Sequence, residues 1–166
     1  MHDSFASDRE TLALAMRTIA RQIFLHALRE ASIAKGFDRH VHCDHGVLRV
    51  CEDLYDLSSY TRVFVVSIGK AGHTMVEALR GQVGDSLEGI VATSVEPSAQ
   101  VRGFRYFRGG HPVPNQESVR GAEAILRSLG AQNESSLVIF MLSGGGSSIA
   151  EKPIDNDISL DDLIAT

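Results

Sequence analysis

Arg62-Val63-Phe64-Val65-Val66-Ser67-Ile68-Gly69 is a run of β-branched, aliphatic and aromatic residues that stops at a glycine. A run this apolar, with almost no polar alternation, is what a strand covered on both faces requires. From Lys70 to Val83 the period changes, and Ala71, Met75, Ala78 and Leu79 recur at the three- and four-residue steps of one helix face. A strand therefore feeds a helix through a turn at Gly69. Leu137–Leu142 repeats the opening pattern and ends at Ser143-Gly144-Gly145-Gly146-Ser147-Ser148.

Between these two runs lie a second buried strand, Gly89–Val95, and a shorter third, Phe104–Phe107. Asn115–Leu129 then reads as a helix, with Asn115 suited to cap its free N–H groups and Val119, Ala122, Ile125, Leu126 and Leu129 turned inward. Buried strands interleaved with helices predict a mostly parallel sheet with helices on both faces. The expected fold class is α/β, a Rossmann-like three-layer αβα sandwich.

Outward from this core, Asp8 to about Lys35 carries Leu12, Ala15, Met16, Ile19, Ile23, Phe24, Ala27, Leu28 and Ala31 at helical spacing. One long amphipathic helix is expected there, capped by Asp8, ended by Gly36, and packed on a sheet or a second domain. Val41–Leu57 alternates around Asp44-His45-Gly46, a hairpin signal for an edge ribbon. The last stretch, Asp157–Thr166, begins a helix with Ser159 as cap and Leu160, Leu163 and Ile164 on one side.

The 166 residues fit one domain, and 43 % hydrophobic with 22 % charged residues is ordinary for a globular protein. With 21 acidic against 16 basic residues and no Lys/Arg run, the footprint of a nucleic-acid binder is missing. The polar N-terminus lacks a signal-peptide pattern and no stretch approaches the ~18 apolar residues of a membrane span, so the reading is cytoplasmic. Cys43 and Cys51 cannot build a disulfide framework. With His40, His42 and His45 they raise a metal site, but no C-x-x-C or H-x3-H pairing is present, so the segment reads as the polar approach to a hairpin. Glu151, Asp155 and Asp157 read as a solvated acidic linker, and no metal ligands are assigned.

In open α/β sheets the ligand crevice lies beyond the carboxyl ends of the strands. Both glycine turns fall there, and the two loops are expected to share one site. Glycine lets backbone N–H groups approach an anion closely, although a tight strand-to-helix connection needs glycine too. Neither G-x-x-x-x-G-K-[ST] nor G-x-G-x-x-G occurs, so no nicotinamide site is indicated. Lys70 near a helix N-terminus is unfavourable by some tenths of a kcal/mol unless an anion answers it; otherwise it is a surface lysine. His111, in Gly109-Gly110-His111-Pro112-Val113-Pro114, sits in a rigid entry to a helix, either as a structural hydrogen-bonding group or as one presented for chemistry.

Taken together, VVSIGKAGHTMVEAL, GGHPVPNQESVRGAEAIL and LVIFMLSGGGSSIAEKP, in this order, resemble the N-terminal domain of the glycerate 2-kinases whose second domain is called MOFRL. The resemblance implies ATP- and Mg2+-dependent phosphorylation of D-glycerate to 2-phosphoglycerate in a cleft between two domains. It makes Lys70 and His111 the catalytic candidates, with Gly69, Ser143, Gly144, Gly145, Gly146, Ser147 and Ser148 holding phosphate or substrate. Members of that family also carry the name hydroxypyruvate reductase. They are considerably longer, so residues 1–166 are expected to be a truncated N-terminal domain lacking the MOFRL-type domain, inactive alone and open to self-association. A non-catalytic anion-binding fragment is the alternative.

Overall fold

The computed structural model describes residues 2–155 and 157–165. In chain order its elements are α1 (His2–Glu30), α2 (Ile33–His40), β1 (Val41–Asp44), β2 (Val47–Val50), β3 (Asp53–Asp56), β4 (Arg62–Ile68), α3 (Gly72–Val83), β5 (Glu88–Thr93), β6 (Phe104–Arg108), α4 (Gln116–Gly130), β7 (Ser136–Leu142), α5 (Gly146–Ile149) and α6 (Leu160–Ala165). The chain divides into two compact units, one up to Arg39 and one from His40 onward.

The second unit is built on a four-stranded parallel sheet of order β6-β5-β4-β7. Alternation along each strand sorts its side chains to two faces. Phe64 and Val66 of β4 join Ile90 and Ala92 of β5, Ala124 and Ile125 of α4, and Ile149 in one buried cluster. Burying each of Phe64, Val66, Ile90, Ile125 and Ile149 stabilises by about 1.5–3 kcal/mol. Val65, Ser67 and Val91 point to the opposite face, where Gly72 at the start of α3 approaches the Ser67 carbonyl and the Val91 side chain. Helices therefore cover both faces, and the three-layer α/β sandwich is the observed architecture. Asn115 caps α4 as expected: its side chain accepts from the Ser118 N–H at 2.9 Å, and the Ser118 hydroxyl accepts from the Asn115 N–H at 3.1 Å.

Several sequence expectations are corrected. Leu137–Leu142 is an edge strand rather than a doubly buried one, so Phe140 and Leu142 are 51 % and 69 % exposed. Leu126 of α4 is exposed because it lies off the stripe that places Ala122 and Ile125 on the sheet. The strand expected over Gly89–Val95 runs from Glu88 to Thr93. Val41–Leu57 forms three short antiparallel strands, β1-β2-β3, not a single hairpin. The predicted turn is in place, with His45 and Gly46 both at positive φ, the geometry that matches the twist of a two-residue hairpin.

In the first unit the single long helix becomes two. Asp8 lies inside α1, and Gly36 lies inside α2 rather than beyond a helix end. The break falls at Ala31–Ser32, where the Ser32 carbonyl accepts from Gly36 N–H at 2.9 Å and its hydroxyl from Lys35 N–H at 3.4 Å, starting the new helix. Leu12, Met16, Ile19, Ile23, Phe24 and Leu28 are each more than half exposed. At the other end α6 starts where Ser159 caps it, its hydroxyl accepting from Asp162 N–H at 3.2 Å. Thr166, the expected end of that helix, lies outside the described residues.

Candidate functional site

The site begins with register. Ile68 stands level with Ala92 of β5 on one side and Leu142 of β7 on the other, so all three strands release their chains at one height. Beyond that height β4 turns into α3 toward β5, whereas α4 carries the chain from β6 back across the sheet to β7. The connections diverge between β4 and β7. Such a switch point is where open parallel sheets form their ligand crevice.

The two glycine turns meet there and are hydrogen-bonded to each other. Ser143 N–H donates to the Ile68 carbonyl at 2.9 Å, Lys70 N–H to the Gly144 carbonyl at 3.0 Å, and Ala71 N–H to the Ser143 hydroxyl at 3.0 Å. Gly69 makes this contact possible. Its φ is +117°, and a Cβ there would lie 2.3 Å from Ser143 Oγ and 2.6 Å from the Ser143 carbonyl oxygen. The helix expected from Lys70 starts at Gly72, so Lys70 sits just ahead of it. The Lys70 side chain is exposed, and its ammonium forms no ion pair among the described residues. Lys152, by contrast, is paired with Glu123 at 3.0 Å.

On the β7 side the backbone N–H groups of Gly144, Gly145 and Gly146 have no partner among the described residues. Gly145 takes φ +88° as the N-cap of α5. Its missing Cβ would fall 3.0 Å from His111 Nδ1, so the imidazole lies directly against the turn. His111 Nδ1 is 3.2 Å from the Ser148 hydroxyl, and Ser148 is buried whereas Ser147 is exposed. The His111–Pro112 bond is cis. Ser118 holds this segment to α4 by accepting from Gly110 N–H at 2.9 Å.

All nine residues singled out from the sequence thus fall on adjoining segments at the carboxyl ends of β4 and β7: Gly69 and Lys70 on the first turn, Ser143–Ser148 on and after the second, and His111 against the second. Two supporting residues escaped the sequence reading. The buried Ser67 hydroxyl donates to the Gly72 carbonyl at 2.8 Å, and buried Thr93 donates to the Lys70 carbonyl at 3.5 Å. Their only signal is a polar side chain in an otherwise apolar strand, which must find a partner once buried. No group of three or more His, Cys, Asp or Glu residues among the described residues is arranged to hold a metal ion. Glu151, Asp155 and the hairpin histidines and cysteines form no such group, and among the described residues no helix is long and apolar enough to cross a membrane.

Comparison with known proteins gives this geometry a family. A glycerate 2-kinase of Pyrococcus horikoshii is 32 % identical over 105 residues, covering 63 % of this chain and 23 % of that protein. A D-glycerate 2-kinase of Thermotoga maritima is 34 % identical over 104 residues, covering 61 % and 25 %. A protein of Agrobacterium vitis with hydroxypyruvate reductase in its name is 33 % identical over 93 residues, or 55 % of this chain and 21 % of its own. A crystal structure of a Pyrococcus horikoshii protein superposes with a TM-score of 0.75 at 25 % identity, over 89 % of this chain and 33 % of that one. The glycerate kinase of Thermotoga maritima, at 0.69 and 24 % identity over 90 % and 33 %, shares the fold. The matched region thus spans only about a fifth to a third of these relatives. Residues 19–166 match the family model described as domain of unknown function DUF4147, and the chain belongs to that family.

Proposed function

We propose that this chain is the N-terminal, substrate-handling α/β part of a glycerate 2-kinase, a phosphotransferase acting on D-glycerate with ATP. The observation that carries the reading is the pair of hydrogen-bonded turns after β4 and β7, which set Lys70, whose ammonium has no ion pair among the described residues, next to a turn whose three glycine N–H groups also have no partner there. Relatives named glycerate 2-kinase support it. Phosphoryl transfer asks a protein chiefly for positioning and for neutralising charge on the equatorial oxygens. Lys70 supplies positive charge to the phosphoryl group or the glycerate carboxylate. The N–H groups of Gly144–Gly146, with the Ser147 hydroxyl, hold an anion, and His111 meets the acceptor hydroxyl.

In the transfer the 2-hydroxyl oxygen bonds to the γ-phosphorus, the bond from that phosphorus to the β-phosphate oxygen breaks to release ADP, and the hydroxyl proton passes to His111 or to solvent. Mg2+, which the resemblance to these kinases brings with it, finds no fitting carboxylate set among the described residues, so no step is assigned to it. The relatives named hydroxypyruvate reductase give a second reading, but the chain has no dinucleotide fingerprint to serve it.

Thermal-shift titrations with Mg-ATP, D-glycerate and NADH test both, since a ligand that binds the native state alone raises its stability. The expected result is a rise with Mg-ATP or glycerate that Lys70→Ala abolishes. A rise with NADH alone supports the reductase reading. No response to any of the three removes the claim that this part binds substrate by itself.

A further inference from the structure

Two histidines of the second unit are wired in opposite senses, and the wiring decides which ring nitrogen each leaves bare. His73 in α3 is held from both sides. Val101 N–H donates to the Tyr106 oxygen at 3.2 Å, Tyr106 stands 2.9 Å from His73 Nδ1, and His73 Nε2 faces the Glu77 carboxylate at 3.2 Å. A carboxylate only accepts, so in the neutral ring Nε2 carries the hydrogen and Nδ1 takes the phenol proton. Burial pushes the Tyr106 phenol up, which keeps that proton in place.

At His111 the order reverses. Ser148 Oγ donates its one proton to the Gly145 carbonyl at 3.4 Å, and the same oxygen lies 3.2 Å from His111 Nδ1. With its proton turned to that carbonyl, the hydroxyl offers only lone pairs to the imidazole, and Nδ1 is then the donor. The neutral ring then bears no hydrogen on Nε2. His111 is exposed, and Nε2 has no partner among the described residues.

We propose that Ser148 is a positioning residue that fixes His111 as its Nδ1–H tautomer and thereby presents a bare Nε2 as hydrogen-bond acceptor for a substrate hydroxyl beside the β7 turn. The hydroxyl partner rests on the glycerate reading above; the tautomer does not. Free imidazole side chains favour the Nε2–H form, so the two histidines carry contrary expectations, and His73 serves as an internal control. A Ser148 that only filled space would leave the tautomer of His111 unbiased.

The test is nitrogen-15 NMR of the imidazole rings in the whole chain at about pH 8, above the ordinary histidine range, with the His111 signals assigned by their loss in His111→Gln. The expected spectrum gives His111 a protonated Nδ1 and a pyridine-like Nε2, and His73 the reverse. Ser148→Ala is expected to return His111 to the Nε2–H form, while Ser148→Thr, which keeps the hydroxyl, retains Nδ1–H. A wild-type His111 in the Nε2–H form overturns the proposal, as does a tautomer unchanged in Ser148→Ala. D-glycerate added to the wild type is expected to shift Nε2 as it accepts a hydroxyl proton. If the tautomer is as stated and glycerate moves nothing, glycerate is not the ligand and the wiring of the histidine stands.

Discussion

The turn after β4 and the turn after β7 look alike in sequence, glycine at the end of an apolar strand, and differ in what surrounds the glycine. Gly69 is enclosed: a side chain there would penetrate Ser143. Gly144, directly across, has nothing within 4 Å of where its Cβ would stand, and its φ is not positive. One glycine therefore closes the architecture, and the other leaves room beside unpaired N–H groups. Gly69→Ala should cost about 3 kcal/mol, combining ~1–3 for a non-glycine residue at positive φ and ~1–3 for overpacking. For a chain of this size that lowers the melting temperature by roughly 6–12 °C. A thermal melt showing less than ~1 kcal/mol of loss would mean that the two turns can part cheaply, and the enclosed-versus-open contrast would fail.

Gly144→Ala makes the opposite demand. Its stability should stay within about 0.5 kcal/mol of wild type, because the added methyl meets open space. The Mg-ATP- or glycerate-dependent stabilisation should shrink, because the same methyl enters the space an anion would occupy. Thermal melts with and without ligand read both effects. Equal ligand stabilisation in wild type and variant would place the bound group elsewhere.

The difference between these glycines marks where the sequence stopped being legible. The ends of β4 and β7, the Asn115 cap and the meeting of the two glycine turns at one edge followed from apolar periods and from the rule that loops after parallel strands face one way, whereas His111 joined them only through the family resemblance. Which glycine is crowded did not follow. It depends on β7 lying beside β4, a pairing between segments far apart in the chain that no local pattern encodes. The same pairing makes β7 an edge, which its continuous apolar run concealed. The break at Ala31–Ser32 was hidden for another reason: apolar spacing continues through it, and a serine that ends one helix by starting the next leaves that spacing intact.

The smallest expected effect separates Lys70 from Lys152. Lys152 donates to Glu123 at 3.0 Å, and this hydrogen bond and its charge, with a lesser contribution from Arg127, hold the Glu123 carboxyl below the usual carboxylate range. A depressed carboxylate contributes stability that is present above its unfolded value, about 4.3, and is lost as pH falls through the folded value. Lys152→Ala should move the Glu123 titration up toward the ordinary value and flatten the acid side of the stability profile, read by carbon-13 NMR of the carboxyl group. Lys70→Ala should leave every carboxyl titration where it was, because its ammonium has no carboxylate to answer. A carboxyl that shifts in Lys70→Ala would identify an internal partner for this lysine. The free charge that the phosphoryl site requires would then be a fastening like Lys152.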